Sequence, residues 1–264
     1  MLLAIDIGNT NTLLGIFLGD ELAFHWRLKS EARRTQDEYW VYLDALFRME
    51  GVVPSKIDGV IASSVVPTLT DTFREMCLTR FRLKPLFVES GVKTGMALLV
   101  DNPKEVGADR IVNAVAAYER FQGACIVVDF GTATTFDVIS GQGEYLGGVI
   151  APGIGISAEA LFKRTSKLPR VELEKVGRMI GKNTIESIQS GLVYGYASMV
   201  EGMLARIFKE IGSPCPVIAT GGFAQLIALH TKMIGQTDEM LTLKGLRLLF
   251  LKNPAKDRGE RFEV

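Results

Sequence analysis

The chain opens with the stretch that decides its fold, Leu2-Leu3-Ala4-Ile5-Asp6-Ile7-Gly8-Asn9-Thr10-Asn11-Thr12. Apolar residues lead into an aspartate and then into a segment rich in Gly, Asn and Thr, which predicts a β-strand that ends in a tight turn. A second apolar run, Leu13 to Leu18, is followed by Gly19-Asp20, a pair typical of a hairpin turn. The sequence therefore predicts a β-hairpin with an aspartate at the end of its first strand.

The same pattern returns in the middle of the chain, at Cys125-Ile126-Val127-Val128-Asp129-Phe130-Gly131-Thr132-Ala133-Thr134-Thr135. A second apolar strand, Phe136 to Ile139, and a Gly-rich turn again follow. Asp129 lies 123 residues after Asp6, and three further pairs match at this offset: Gly8 and Gly131, Thr12 and Thr135, Ile16 and Ile139. We interpret the repeat as an internal duplication of a domain of ~120 residues. Two unrelated hairpins are the alternative.

Helical and extended patterns alternate through both halves, which predicts an α/β architecture. The residues after the first hairpin form a charged, mostly helical stretch, in which Trp40, Leu43 and Phe47 have helical spacing. Further helices are predicted at 71–82, 108–121 and 183–208, and further strands at 57–66 and 217–219. The predicted domains are residues 1–118 and 119–264. Seven of the 13 residues 252–264 are charged, which predicts a frayed tail.

The composition of the 264 residues excludes several classes of protein. With 47% apolar and 23% charged residues, the chain is expected to be soluble and globular. Its 30 basic residues balance 30 acidic ones, so the overall charge indicates no binding to nucleic acid or to an anionic membrane. Three scattered cysteines form neither a disulfide framework nor a zinc spacing. This cysteine pattern indicates a reducing, cytoplasmic setting. Asp6 comes too early for a signal peptide, and no apolar run approaches the ~20 residues of a membrane span.

The two Asp-x-Gly turns have the chemistry of a site for phosphate and metal. Gly8 lets backbone N–H groups come close to an oxyanion, and Thr10 and Thr12 add hydroxyl donors. Asp6 can hold Mg²⁺ directly or through water. A single turn of this kind is also a plain hairpin sequence. Two copies in matched halves favour function, because a pair of hairpins can grip the two ends of a triphosphate.

A third candidate site lies at the predicted start of the helix 108–121. Asp109 and Arg110 fall in its first turn, after Gly107, where backbone N–H groups and the helix dipole favour anions. The alternative is that Asp109 only caps the helix while Arg110 points to solvent.

Two nucleotide-binding motifs match only superficially. Residues 153–158 fit the Gly-x-Gly-x-x-Ala fingerprint of dinucleotide-binding proteins, but Pro152 separates them from a strand. Residues 177–182 resemble a P-loop with one residue missing between its glycines. A dinucleotide-binding oxidoreductase therefore stays only as an alternative function.

Four motifs, in order along the chain, together resemble the type III pantothenate kinase family: Asp6-Ile-Gly-Asn-Thr-Asn-Thr12, Asn102-Pro-x-Glu-Val-Gly-Ala-Asp-Arg110, Asp129-Phe-Gly-Thr-Ala-Thr-Thr135 and Gly147-Gly-x-Ile-x-Pro-Gly153. That family belongs to the superfamily of acetate and sugar kinases, heat-shock chaperones and actin. The resemblance implies two duplicated ribonuclease-H-like domains with a nucleotide cleft between them, in agreement with the duplication seen in the sequence.

The resemblance also implies roles for single residues. Asp109 is implied as the general base, Asp129 as the holder of a monovalent cation (K⁺ or NH₄⁺), Thr132 as an ATP contact, and 220–222 as the adenosine region. The implied phosphate-binding segment for ATP consists of Asp6, Ile7, Gly8, Asn9, Thr10, Asn11, Thr12 and Leu13. The implied pantothenate contacts are Gly107, Ala108, Asp109, Arg110 and Thr184. Many members have Tyr seven residues before the glycine of Gly-Ala-Asp-Arg, but Val100 stands there in this chain.

The implied function is the ATP-dependent phosphorylation of pantothenate to 4'-phosphopantothenate, the first step of coenzyme A biosynthesis, with Mg²⁺ and a monovalent cation. The alternative is an actin-like ATP-binding regulatory protein without a small-molecule acceptor. The predicted helix 183–208 contains the small residues Gly191, Gly195, Ala197, Ser198, Gly202 and Ala205, which permit close helix packing within one subunit or between two. Members of the family are homodimers in which the partner subunit completes the pantothenate pocket. The resemblance therefore implies that Asp109 and Thr184 of one site come from different chains.

Overall fold

The computed structural model describes residues 1–253, so residues 254–264, most of the predicted tail, lie outside the described residues. The chain folds into two compact units. The first contains residues 1–116 together with the described residues from Leu241 onward, and the second contains residues 117–240. Within residues 1–253, no helix combines the length and the apolar character needed to cross a membrane.

The first unit is built on a five-stranded sheet. Its strands are β1 (Leu2–Ile7), β2 (Asn11–Leu18), β3 (Glu21–Lys29), β4 (Gly59–Ser64) and β5 (Leu86–Phe87). They lie in the order β3-β2-β1-β4-β5. The pairs β1–β2 and β2–β3 are antiparallel, whereas β4 is parallel to both β1 and β5. The carboxyl ends of β1 and β4 therefore meet at one edge of the sheet.

The second unit repeats this sheet. Its strands are β6 (Cys125–Phe130), β7 (Ala133–Ile139), β8 (Tyr145–Pro152), β9 (Val217–Thr220) and β10 (Gln236–Thr237). Their order, read as β8-β7-β6-β9-β10, corresponds strand by strand to β3-β2-β1-β4-β5 in the first sheet. Each neighbouring pair has the same relative direction as its counterpart. Because strand order, direction and chain order all agree, the predicted duplicated α/β fold is confirmed.

The strand registers show where the two copies differ. In the first hairpin Asp6 pairs with Leu13, and in the second Asp129 pairs with Thr135. The first turn is therefore one residue longer than the second, and the structural equivalent of Thr135 is Leu13. The predicted matches of Thr135 with Thr12 and of Ile139 with Ile16 are each wrong by one position, because a constant offset cannot follow a change in turn length.

Seven α-helices lie between and after the described strands. They are α1 (Gln36–Met49), α2 (Pro67–Met76), α3 (Ala108–Phe121), α4 (Ile154–Arg164), α5 (Thr184–Ile211), α6 (Ala224–Ala228) and α7 (Leu241–Lys252). The prediction of α3 is confirmed, and α5 extends three residues beyond its predicted end, to the left-handed Gly212. The helix predicted at 71–82 begins earlier, at Pro67, where proline suits the first helical position. It continues as a π-helical turn, Cys77–Phe81.

Three of the outer strands were not predicted: β3, β8 and the two-residue β10. β3 occupies the beginning of the stretch that was expected to be mostly helical, although its apolar residues Leu22, Phe24, Trp26 and Leu28 alternate with period two. β8 contains the Gly-rich segment that was interpreted as a motif, and Pro152 is its last residue rather than a break before the helix. Charged residues in β3 and glycines in β8 masked the strand pattern, as is common in edge strands.

The last helix, α7, joins the first unit, whereas residues 241–264 had been placed in the second predicted domain. It packs against the first sheet, where glycines make room for its side chains. A Cβ at Gly59 would lie 2.2 Å from the Phe250 ring, and one at Gly15 would lie 2.8 Å from Leu243. The apolar side chains of α7 therefore pack on a face of the sheet, against residues that lie more than 180 positions earlier in the sequence.

Candidate functional site

In the first unit, polar groups collect where β1 and β4 end. Asp6 is the next-to-last residue of β1 and pairs with Ser63 of the parallel strand β4. The Ser63 hydroxyl, which is buried, donates a hydrogen bond of 2.7 Å to Oδ1 of Asp6. The Asp6 carboxylate is thus held at the carboxyl edge of the sheet, the edge at which α/β proteins commonly bind ligands.

The Asp6 carboxyl is strongly perturbed. Its pKa is raised from 3.8 to about 7, mainly by burial and to a smaller extent by the negative charge of Asp109. The hydrogen bond from Ser63 and the positive charge of Arg27 act in the opposite direction. A carboxyl that is buried near a second carboxyl is more stable when a cation is bound, so the location suits a metal–phosphate group.

Asp109 lies in the first turn of α3, as predicted. Its Oδ1 accepts the backbone N–H of Arg110 at 2.8 Å, a hydrogen bond within the first turn, although Gly107 and not Asp109 directly precedes the helix. Burial raises its pKa, and the Arg110 backbone N–H and guanidinium charge oppose that rise. A Cβ at Gly107 would lie 2.5 Å from Asp109 Oδ1 and 3.7 Å from Val65, so glycine leaves space for this carboxylate. The same carboxylate therefore has a raised pKa and a hydrogen bond to the first turn of the helix.

The predicted phosphate-binding segment divides into buried and accessible residues. Gly8 begins the turn, and its N–H donates to the Asn11 carbonyl at 3.0 Å. Asn9 and Thr10 at the tip of the turn are exposed, whereas Ile7, Thr12 and Leu13 are buried. The Thr12 hydroxyl is within 2.9 Å of the Ser30 hydroxyl, so it stabilises the hairpin. The tip of the turn, rather than the whole segment, is open to a ligand.

In the second unit, Asp129 occupies the position that Asp6 has in the first. It pairs with Thr220 at the end of the parallel strand β9. The next residue, Gly221, has a left-handed conformation with φ of 88°, and a Cβ there would lie 2.6 Å from Asp129 Oδ1 and 2.7 Å from the Phe130 carbonyl. The predicted adenosine region, 220–222, therefore begins directly against Asp129.

The second turn is packed against the start of a helix. Thr132 lies at its tip and is exposed, and its carbonyl accepts the N–H of Gly153, the N-cap of α4, at 3.1 Å. A Cβ at Gly153 would lie only 2.3 Å from that carbonyl oxygen, so this approach requires glycine. Thr132 thus lies beside the N-terminus of an 11-residue helix, where the helix dipole favours anionic groups.

Thr184, the implied pantothenate contact, is the first residue of α5 and is exposed. Asn183 caps the helix by accepting the N–H of Glu186 at 2.9 Å. The Glu186 carboxylate reaches back to the N–H of Lys182, one residue before the cap. This hydrogen-bonded helix start fixes the backbone of Thr184 and leaves its side chain at the surface.

Three positions with a bearing on the site were not predicted. Ser63 is one, and its signal was a serine at the end of a strand parallel to β1. Arg27 is exposed on β3 in the same row as Asp6, because both pair with Leu13. Asp137 of β7 is completely buried. An acidic residue in an otherwise apolar strand was the available signal for Asp137.

Asp137 is the centre of a polar chain in the second sheet. The Thr135 hydroxyl donates to its Oδ2 at 3.1 Å, and the buried Tyr145 hydroxyl donates to its Oδ1 at 2.7 Å. No cluster of three or more His, Cys, Asp or Glu side chains that could hold a metal by itself occurs in the part of the chain described.

Solved structures with this fold differ widely in sequence. Component A of (R)-2-hydroxyglutaryl-CoA dehydratase from Acidaminococcus fermentans has a TM-score of 0.57 at 13% identity, covering 97% of this chain and 98% of that one. An ethanolamine utilization protein from Carboxydothermus hydrogenoformans has a TM-score of 0.52 at 13% identity, covering 94% of this chain and 89% of that one. At such low identity these neighbours support the duplicated actin-like fold alone.

Sequence relatives are much closer. The type III pantothenate kinase of Myxococcus xanthus is 56% identical over 255 residues, covering 97% of this chain and 100% of that protein. The type III pantothenate kinase of Koribacter versatilis is 52% identical over 268 residues, covering 98% of each chain. The family model of type III pantothenate kinase matches residues 2–206. The chain belongs to the type III pantothenate kinase family.

Proposed function

We propose that this chain transfers the γ-phosphoryl group of ATP to the primary hydroxyl of pantothenate, forming 4'-phosphopantothenate in the cytoplasm. This is the first step of coenzyme A biosynthesis. The observation that carries the proposal is the 56% identity to a type III pantothenate kinase over 97% of the chain. The polar groups collected at the strand ends of each unit support it.

Asp109 is the general base of the proposed mechanism. It accepts the proton of the pantothenate hydroxyl while that oxygen attacks the γ-phosphorus. Burial raises its pKa toward the pH at which the enzyme works, which makes the carboxylate a better proton acceptor. Arg110, the next residue, is proposed to bind the substrate carboxylate or the incoming phosphate, and Gly107 and Ala108 shape the same pocket.

The first unit also provides the residue that suits Mg²⁺. Mg²⁺ in kinases is held by one or two carboxylates together with water and phosphate oxygens, and Asp6 is a carboxylate whose raised pKa indicates a position that favours a cation. When bound, the ion neutralises charge on the transferring phosphoryl group. The accessible residues of the adjacent turn, Gly8 to Thr10, are proposed to donate hydrogen bonds to phosphate oxygens.

The second unit is proposed to bind the rest of the nucleotide and a monovalent cation. Thr132, exposed at the tip of its turn beside the N-terminus of α4, contacts the phosphates of ATP. The Asp129 carboxylate and the neighbouring Phe130 carbonyl are hard oxygen ligands that suit K⁺ or NH₄⁺. The bound cation adds positive charge to balance the triphosphate.

ADP formation with and without pantothenate tests the activity directly. We expect release of ADP to depend on pantothenate, and to fall when K⁺ is replaced by Na⁺. An ATP-binding regulatory protein would release ADP at the same rate without pantothenate, which would overturn the proposal. Binding of NAD in calorimetry would instead favour the dinucleotide-binding alternative.

The active site is further proposed to be shared in a homodimer, with Asp109 from one chain and Thr184 from the other. Co-refolding Asp109→Asn chains with Thr184→Trp chains tests this arrangement. Each mixed dimer would contain one doubly damaged site and one intact site, so random pairing restores roughly a quarter of all sites. Mixed dimers with no activity above either variant alone would show that each subunit builds its own pocket.

A further inference from the structure

We propose that the hydroxyl oxygen of Thr135 is a ligand of the monovalent cation beside Asp129, and that the buried Asp137 is a positioning residue that holds this hydroxyl in the required orientation. The inference rests on the cation role proposed above for Asp129. It assigns functions to two side chains that the mechanism above does not use.

The position of Thr135 follows from the strand register. Thr135 lies directly opposite Asp129 in the antiparallel pair of β6 and β7. Side chains opposite each other leave the same face of a sheet, with Cβ atoms ~4.5–5.5 Å apart. Both residues are partly exposed, so a single cation can contact both side chains.

The orientation of the Thr135 hydroxyl follows from its hydrogen bond. A threonine hydroxyl has one proton and two lone pairs, and the Thr135 proton is donated to Asp137 Oδ2 at 3.1 Å. Only lone pairs are then left to face Asp129. Two electron-rich groups on one face repel a phosphate oxygen, but together they form part of an oxygen coordination shell for a hard cation.

Asp137 is held firmly enough to fix this orientation. It is completely buried, and its second oxygen accepts the Tyr145 hydroxyl at 2.7 Å. Hydrogen bonds to a carboxylate are stronger than those between neutral groups. Rotation of the Thr135 proton toward Asp129 would remove a donor from a buried carboxylate oxygen, which is unfavourable. The lone pairs of Thr135 therefore stay directed toward the Asp129 side.

The first unit shows that the sheet does not need this polar chain. The positions equivalent to Thr135 and Asp137 are Leu13 and Gly15, since Gly15 pairs with Ala4 as Asp137 pairs with Val127. The same strand order forms there from apolar residues. The polar chain is thus particular to the unit in which the monovalent cation is proposed.

Thermal unfolding tests the proposal without measuring turnover. The melting temperature of the full chain is recorded with Mg²⁺ and a non-hydrolysable ATP analogue, in KCl and in tetramethylammonium chloride at equal ionic strength. We expect K⁺ to raise the melting temperature of wild type and of Thr135→Ser, which keeps the hydroxyl. Thr135→Val, which lacks it, should lose most of this rise. Val138→Ala is the control: it should melt lower in both salts and keep the K⁺-dependent rise.

Asp137→Asn tests the positioning role. The Tyr145 hydroxyl can still donate to the amide oxygen, so the amide nitrogen faces Thr135, donates to its oxygen and turns its proton toward Asp129. Loss of a group that orients a metal ligand lowers metal affinity by about 10–100-fold. The K⁺ concentration for half-maximal stabilisation, and for half-maximal activity, should rise by that factor.

The outcomes distinguish this proposal from the two on which it rests, the cation role of Asp129 and the kinase function. If Asp129→Asn abolishes the K⁺-dependent rise but Thr135→Val keeps it, Thr135 is not a ligand. If Thr135→Val loses the rise but Asp137→Asn keeps it, the positioning role of Asp137 is wrong. A wild-type chain that phosphorylates pantothenate but shows no K⁺ effect on stability or activity overturns both the cation role of Asp129 and this inference, and leaves the kinase function standing.

Discussion

Equivalent rows of positions lie at the same edge of the two sheets, but chemically different side chains occupy them. In the first unit the row contains Asp6, the apolar Leu13 and the basic Arg27. In the second it contains Asp129, Thr135 and Ile150. The duplicated fold thus supplies two equivalent aspartates, while their neighbours make them different. One aspartate has a second carboxylate and an arginine nearby, and the other faces a hydroxyl held by a buried carboxylate.

The comparison suggests that the two units have different roles in the proposed reaction. The first contains the residue proposed for proton transfer, Asp109, together with the carboxylate that suits Mg²⁺. The second has a turn packed closely on a helix N-terminus and a polar chain beneath it, both suited to holding charged ligands. Substitutions at matched positions should therefore have effects of different kind and size.

The largest effect is expected at Asp109, because only the first unit is proposed to contain the general base. Asp109→Asn keeps the size of the side chain and removes the proton acceptor, so kcat should fall by ~10²–10⁴. ATP affinity should change little, which nucleotide titration of the variant can check. Turnover close to wild type would leave Asp109 with a structural role only, the hydrogen bond to the Arg110 N–H in the first turn of α3.

The equivalent aspartates should differ in their response to cations. Asp6→Asn should weaken the use of Mg²⁺-ATP at every K⁺ concentration, because the lost charge faces the metal–phosphate group. Asp129→Asn should instead reduce the activation by K⁺. Steady-state rates over a grid of Mg²⁺-ATP and K⁺ concentrations distinguish the two. Variants that both respond to K⁺ as wild type does would contradict the role of Asp129.

The sequence predicted the equivalent aspartates because strand, aspartate and turn are local features. Hydrophobic runs place Asp6 and Asp129 at strand ends without reference to the rest of the chain. The start of α3 and the position of Asp109 in its first turn were predicted for the same reason.

Features that depend on contacts between residues far apart in the chain, or on the register between strands, were not predicted. The packing of α7 on the first sheet joins residues such as Gly59 and Phe250 that are far apart in the chain. The one-residue difference between the turns is visible only in the strand register, so the equivalence of Leu13 and Thr135 was missed. The role proposed for Asp137 depends on its hydrogen bond from Tyr145, which lies on a strand that the sequence did not predict.

A smaller effect is expected on the pH dependence of stability. The folded chain holds the pKa of Asp6 at about 7, above its ordinary value of 3.8. Between these values the folded state binds more protons than the unfolded state, so the free energy of unfolding falls as the pH rises. The Asp6→Asn variant has no carboxyl at this position, so its free energy of unfolding does not fall for this reason as the pH rises. Without ligands, it should be more stable than wild type at pH 8 by about 1–4 kcal/mol. Urea unfolding at pH 4 and pH 8 measures the difference, and an equal gap at both values would contradict it.

The smallest effect concerns two buried threonines that the register makes equivalent. Thr12 pairs with Ile7, and Thr134 pairs with Phe130 at the same place in the second hairpin. Both side chains are completely buried. The Thr12 hydroxyl lies 2.9 Å from the Ser30 hydroxyl, whereas the Thr134 hydroxyl has no hydrogen-bond partner within residues 1–253. Valine has nearly the same shape as threonine, so substitution isolates the contribution of each hydroxyl.

Thr12→Val should lower the free energy of unfolding by about 1–2 kcal/mol, because it removes a hydrogen bond and leaves Ser30 without that partner. Thr134→Val should instead raise the free energy of unfolding by up to about 1 kcal/mol. In this variant a methyl group takes the place of a buried hydroxyl that forms no hydrogen bond. Urea unfolding curves of the two variants, recorded under one buffer condition, compare the signs directly. A loss of stability in Thr134→Val as large as that in Thr12→Val would mean that a bound water satisfies the Thr134 hydroxyl. The two hairpins would then be alike at this position in spite of their different turns.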